Sequence, residues 1–485
     1  MDLSPRPTST AGRGSEPPSG PGRATGSALL PVLVGLGMVA TAIGSLGAPL
    51  LPTIMGDDHV SLSSSQWALT ISLVSGAVAI PVLGRLGDGR RRREVTLATA
   101  ATTGLGCVLA ALPGGFTWLL VGRALQGVGL ALVPLAMTVA RDALPEARVR
   151  PAIALLGVTT VVGIGIGYPL AGVIVESLGL AAAFWFGAMV SGAALVAAWV
   201  VLPDSPSRAG RRLDIPGALL LCGSVSGLLV VLAEGQSWGW TSSEVLGIGV
   251  ASLVLLTAWV LVELRSPAPL VDVRLVRRRS LFSANSTMLL IGFGIYPLLS
   301  LVSRLVQTPT SAGYGFGSSV IVAGAMLVPF SVASFAANRV ALPLVRRTSP
   351  EFVVAASCVV LLGSMVLFLL ARDALWEIVV TMALAGLGVG CVFASNPLQI
   401  VRGVPPEETG SAMGFYGVVR SVSFSAGSAL SATVLVIYVP RGRSLPTDGA
   451  YSVAAWISIG VLLAALALAG ALAVSERTAL ASQPR

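Results

Sequence analysis

Fourteen apolar runs, each long enough to cross the hydrocarbon core of a bilayer as a helix, constrain this chain more than any other feature. They lie at 28–51, 66–86, 95–113, 116–140, 151–175, 180–202, 216–233, 245–262, 281–303, 319–342, 352–370, 378–401, 411–438 and 451–474. None alternates in polarity as a membrane strand would, and lipid offers the backbone no hydrogen-bond partner, so each run must satisfy itself as a helix. Only 11% of the 485 residues are charged while 54% are hydrophobic, too little polarity to cover a soluble surface. The expected fold class is all-α integral membrane, with fourteen transmembrane helices arranged as two six-helix bundles plus two inserted central helices.

An even number of spans puts both termini on one side, and the 31 basic residues, all arginine, say which. With a cytoplasmic N-terminus, tails and inner loops hold 24 arginines, including Arg90 to Arg93, Arg148, Arg150, Arg211, Arg212, Arg277 to Arg279, Arg346 and Arg347, against three outside, Arg372, Arg441 and Arg443. The expectation is a multi-pass protein of the cell (inner or plasma) membrane with both termini cytoplasmic. Its net charge of +9 belongs to these short loops and so does not point to nucleic acid. Trp67, Trp118, Trp185, Trp238, Trp240 and Trp376 fall near one interface and Trp199 and Trp259 near the other.

Residues 1–27 read as a disordered cytoplasmic tail, and the run from Ala28 as an uncleaved first span. The expected domains are a six-helix bundle over 28–202, two inserted helices with flanking loops over 203–280, a second six-helix bundle over 281–474 and a tail over 475–485. An internal repeat supports this division. Gly127-Val128-Gly129 recurs as Gly388-Val389-Gly390, and Arg141, Pro145 and Glu146 recur as Arg402, Pro406 and Glu407, all at an offset of 261 residues. The repeat relates spans eight apart, and duplicated halves around a midplane site are a common build of secondary transporters.

Charges inside a bilayer are costly and mark function by default. No acidic residue falls deep within a proposed span; Glu234 is expected in an outer loop and Glu263 at an inner helix end. Arg304 and Arg339 lie close enough to span ends to snorkel. Arg123 and Arg420 lie deeper and are candidates for transport chemistry, with an arginine bonded to backbone carbonyls between helices as the alternative. Asp88 lies at a helix junction, where a carboxylate can cap a helix N-terminus, and Asp142 is a natural partner for Arg92. Such a network can latch two halves in one state and release them in another, although a solvated, topology-setting charge cluster would look the same. Cys107, Cys222, Cys358 and Cys391 sit in apolar runs as small core residues, and His59 beside Asp58 is a lone loop pair. With no clustered acid/base or metal set, no enzyme, cofactor or metal is expected.

Gly122-Arg123-Ala124-Leu125-Gln126-Gly127-Val128-Gly129 resembles the fourth-span motif of the major facilitator superfamily. Gly84-Arg85-Leu86-Gly87-Asp88 with Arg90 to Arg93 resembles that superfamily's loop motif, except that Gly89 directly follows the aspartate. Gly163, Gly167, Pro169 and Gly172 in span 5 resemble its antiporter motif, with Tyr168 inserted. Gly235 to Trp240 and Pro269 to Asp272 are similar to landmarks of the fourteen-span drug:proton antiporters. The resemblance implies proton coupling at Arg123, with Gln126 in the same motif, and export through the span 5 motif; Arg420 joins these by its depth, and Gly84, Asp88, Arg92 and Asp142 are the candidates for conformational gating. The chain departs from cation exporters in span 1, where Thr41-Ala42-Ile43-Gly44-Ser45-Leu46 contains no aspartate. With arginines as the deep charges, an anionic or neutral substrate is expected, with hydrogen bonds from Ser45, Gln126, Asn285, Ser331, Asn396 or Tyr416. The function expected is proton-driven alternating-access export of a small organic compound, an antibiotic or toxic metabolite, by a monomer with no cofactor beyond the proton gradient; the alternative is uptake of an anionic metabolite.

Overall fold

The computed structural model describes residues 23–45, 54, 60, 62–205, 214–267, 269–276, 278–440 and 445–481. Its long helices are α1 (Arg23–Ser45), α2 (Leu62–Gly87), α3 (Arg92–Ala111), α4 (Gly115–Ala143), α5 (Glu146–Leu178), α6 (Leu180–Val201), α7 (Ile215–Trp238) and α8 (Ser243–Arg265). They continue with α9 (Arg279–Gln307), α10 (Ile321–Arg347), α11 (Pro350–Leu370), α12 (Leu375–Gly403), α13 (Thr409–Ile437) and α14 (Asp448–Ala481). These are the fourteen helices expected, one per apolar run. A 3-10 turn at Gly129–Ala131 tightens α4, and Pro169 is accommodated inside a continuous α5. Helix α1 starts at Arg23, upstream of the run that begins at Ala28, and α14 continues to Ala481.

The duplication is visible in the packing. In the first half α1 packs on α5 and α6, α2 on α4, and α3 on α4 and α6; eight helices later α9 packs on α13 and α14, α10 on α12, and α11 on α12 and α14. The residue register of the repeat needs correction. A Cβ on Gly127 would meet Ser72 O of α2 and one on Gly129 the Thr103 side chain of α3, whereas one on Gly388 meets Leu361 of α11 and one on Gly390 Ser334 O of α10. The counterparts of Gly127 and Gly129 are therefore Gly386, which faces Phe330 of α10, and Gly388, a local offset of 259. Glycines cluster wherever helices must approach closely in lipid, so a short Gly-Val-Gly match can align with the wrong glycine.

Helices α7 and α8 pack on each other, and α7 lies on both α2 and α13, so the inserted pair covers a seam between the halves. Each helix starts on a side-chain cap, Asp214 accepting from Gly217 N and Ser242 from Val245 N, and Gly239 takes a positive φ in the turn between them. Glu234 is not where the sequence suggested, while Glu263 is at the helix end expected for it. Glu234 lies within the last turns of α7, not in a loop, and Glu263 lies within α8; both side chains are buried. Their runs had been bounded at the first charged residue, but the helices continue past these charges because each carboxylate packs inward.

Candidate functional site

The two halves touch at the end of the molecule that carries the Arg90 to Arg93 cluster, as they also do deeper in, where a Cβ on Gly157 would meet Phe393 O. Gly84 near the end of α2 and Gly410 at the start of α13 touch backbone to backbone; a Cβ on Gly84 would lie 2.5 Å from Gly410 O. One turn on, the Asp88 carboxylate accepts from the N–H groups of Gly410 at 2.6 Å and Ser411 at 2.9 Å, capping α13 from the opposite half. Burial pushes the Asp88 carboxyl up from 3.8 to about 7, against the opposing pull of those two N–H groups and of Arg85.

Behind this junction Arg92 pairs with Asp142, as its charge and position suggested, and both are largely buried. Arg141 was seen in the sequence only as part of the repeat. Its guanidinium crosses to the other half, donating to Val404 O at 2.9 Å, to Pro405 O at 3.3 Å and to the Thr409 hydroxyl. Gly84 and Asp88 thus touch the other half, the Arg92–Asp142 pair lies within the first half beside them, and the sequence missed two residues of this junction, Arg141 and Gly410. The repeat was the available signal, because Arg141 ends α4 at the height where α13 begins.

Arg123 takes the carbonyl-bonded placement that the sequence left open as the alternative. It is 1% exposed and faces the interior of the first half, where Nε donates to Ala68 O and the two terminal nitrogens to Ile43 O, Gly44 O and Gln126 Oε1. Gln126 in turn donates to Gly106 O. The arginine therefore ties α1, α2 and α4 through their carbonyls, and it does not line the space between the halves. A guanidinium has five donors and no acceptor, so a cluster of helix carbonyls can hold it without a carboxylate.

Arg420 does reach the space between the halves. There Ile80, Val133, Met137 and Gly157 from one half face Phe393, Pro397, Met413, Tyr416 and Arg420 from the other, around a cavity of about 10 Å³, room for about one water. The guanidinium lies over the Phe393 ring at 5.6 Å, and no carboxylate pairs with it among the described residues. Phe393 neighbours Phe424 at 6.3 Å, and Phe424 stacks on Tyr296 at 5.0 Å, so an aromatic row leads away from the cation.

Of the other polar candidates, Asn396 donates to Ala284 O, Asn285 to Leu281 O and Ser331 to Val161 O. Only the Ser331 bond spans the two halves. Gly163 packs against Met38 and Thr41 of α1, a side chain on Gly172 would meet open space, and Pro169 lies near Gly324 of α10. The side chains of Ser45 and Tyr168, and the His59 and Asp58 pair, fall outside the described residues. Trp259 was expected at an interface, but it is buried, stacks on Phe415 of α13 at 6.0 Å and donates from Nε1 to Glu263 at 3.0 Å. At the other end of the hairpin Trp240 Nε1 donates to Thr433 of α13. The inserted pair thus holds α13 by a tryptophan at each end.

The Major Facilitator Superfamily model matches residues 33–428 of this chain. Multidrug resistance protein Stp of Mycobacterium tuberculosis is 26% identical over 418 residues, covering 84% of this chain and 76% of that protein. The tetracenomycin C resistance and export protein of Streptomyces glaucescens is 28% identical, covering 83% and 74%, and the puromycin resistance protein pur8 of Streptomyces alboniger is 26% identical, covering 94% and 92%. The crystal structure of the human organic anion transporter MFSD10 (TETRAN) superposes with a TM-score of 0.65 at 17% identity, covering 94% of this chain and all of that one, a likeness of fold alone.

Proposed function

Because the chain belongs to the Major Facilitator Superfamily, a family of membrane transporters rather than enzymes, we propose that it exports a small organic compound, anionic or neutral, by proton-coupled alternating access. The observation that carries the substrate charge is Arg420, a cation without a carboxylate partner among the described residues at the point where both halves converge. A cavity whose charged group is one guanidinium attracts anions and repels organic cations, and its aromatic faces suit a flat ring. The direction rests on the relatives named for resistance to or export of antibiotics. We assign the arginine-rich end to the cytoplasm, where the charge bias of the loops puts it. Asp88, Arg92, Arg141 and Asp142 then form the inner gate, closed in this conformation, and opening it exposes Arg420 to the cytoplasm.

Inverted membrane vesicles test this directly. Under an imposed proton gradient they accumulate anionic or neutral aromatic antibiotics, and they leave quaternary cations outside. Uptake by whole cells, without accumulation in inverted vesicles, would establish the alternative, import of an anionic metabolite.

A further inference from the structure

Helices α7 and α8 bring together two carboxylates that the gate and the central cavity do not use. Glu263 is 1% exposed and sits in the last turn of α8, where unpaired helix carbonyls oppose a negative charge. Asp214 caps α7, its Oδ1 accepting from Gly217 N at 2.9 Å, where the helix N-terminus favours a negative charge. A Cβ on Gly217 would lie 2.9 Å from Glu263 Oε1 and 3.0 Å from Asp214 Oδ2, so these two oxygens are no more than about 6 Å apart. Glu263 Oε2 and Asp214 Oδ2 are both buried without a hydrogen-bond partner. Two anions at this distance, one fully buried, repel, and one proton carried by either of them removes that repulsion.

Among the described residues neither carboxylate forms an ion pair with an arginine. Beside the pair, Trp259, Leu270 and Val271 belong to an apolar cluster that takes in Val74 and Val82 of α2 and Phe415 and Val418 of α13. Arg274 donates to Leu264 O and Asp272 accepts from Arg274 N, while the backbone of Leu270 and Val271 faces Glu263. Arg265 lines a groove of about 300 Å³ together with Asp214, Pro216 and Ser266, which gives protons a path to the pair. Glu263 Oε1 accepts from Trp259, and Trp259 stacks on Phe415, one residue from Tyr416 and on the helix that Asp88 caps.

We propose that Glu263 and Asp214 hold one exchangeable proton between them, and that its gain or loss is passed to α13 through Trp259 and Phe415. The inserted hairpin is then a proton-binding element; its coupling to flux rests on the transport reading above, but its proton does not.

The test uses the full-length protein in lipid nanodiscs without substrate. Infrared titration of the wild type shows a protonated-carboxyl band that Glu263→Gln removes, together with about one proton of uptake per chain. Glu263→Gln keeps the acceptor for Trp259, and Asp214→Asn, a second variant in case the first misfolds, changes the proton affinity of the remaining carboxyl about tenfold or more. A band and titration unchanged in both variants overturns the site, whatever the export assay gives. In liposomes, Glu263→Gln and Trp259→Phe should lower gradient-driven accumulation about tenfold and leave substrate counterflow within about twofold, since a coupling free energy of this size is typical of linked sites. Equal loss of both fluxes would remove the link to α13.

Discussion

Gly84 of α2 and Gly410 of α13 are in backbone contact, with a Cβ on either one falling within 2.5 Å of the other's carbonyl oxygen. At this point the two helices from opposite halves approach so closely because neither residue carries a side chain. The contact lies beside the Asp88 cap, so the closeness of the backbones sets whether the carboxylate reaches the α13 N–H groups.

Gly84→Val should therefore force this end apart, while a substitution on a lipid-facing position of α2 should not. The expected outcome is faster maleimide labelling of a Met413→Cys reporter in the central cavity, by about tenfold, because overpacking of this kind costs about 1–3 kcal/mol. Unaltered labelling would mean that the close contact does not hold the gate.

The raised Asp88 carboxyl makes the same gate sensitive to pH. Its value is about 7 in the closed conformation against 3.8 in water, so the closed state binds the proton more tightly than one in which Asp88 is solvated. Closing takes up a proton between these two values, and the closed population should rise as pH falls from about 7 toward about 4 and be flat outside that window. Distance measurements between spin labels on α2 and α13 would follow it, and Asp88→Asn should abolish the slope. A slope that survives in Asp88→Asn would assign the proton to another group.

Arg123 is the anchor of the first half and should behave as one. Arg123→Ala leaves the carbonyls of Ile43, Gly44 and Ala68 without their donor and should lower thermal stability by about 3 kcal/mol along with transport, whereas Arg123→Lys should recover part of both. A fully stable Arg123→Ala protein that fails only in proton coupling would instead put the residue in the transport pathway.

Much of this was legible in the sequence because lipid is a demanding solvent. The fourteen spans, the pairing of Arg92 with Asp142 and the duplication all follow from length, charge and repetition, which the bilayer constrains directly. What stayed hidden depends on rotation about a helix axis. Arg123 and Arg420 both lie well inside their spans, yet one turns into its own half and the other toward the facing half, and hydropathy is blind to that difference. Glu234 and Glu263 were bounded out of their helices because a charge was taken as a helix end, when each helix runs on with its carboxylate buried.

Arg420 carries the substrate argument and gives it a quantitative form. Its guanidinium stacks over Phe393 and lacks a carboxylate partner among the described residues, so the charge is available to a ligand that enters when the halves part. Arg420→Ala should weaken binding of anionic aromatic compounds by about 1.5–3 kcal/mol, roughly tenfold to a hundredfold in Kd, the usual worth of a hydrogen bond to a charged group. Neutral analogues of the same shape should lose much less, because they keep the contact with Phe393 and Phe424. Arg420→Lys should fall between, as an ammonium retains the charge but neither the planar stacking nor the bidentate reach. Isothermal calorimetry on matched anionic and neutral pairs reads all three, and equal loss for both members of a pair would show that Arg420 shapes the cavity without selecting charge.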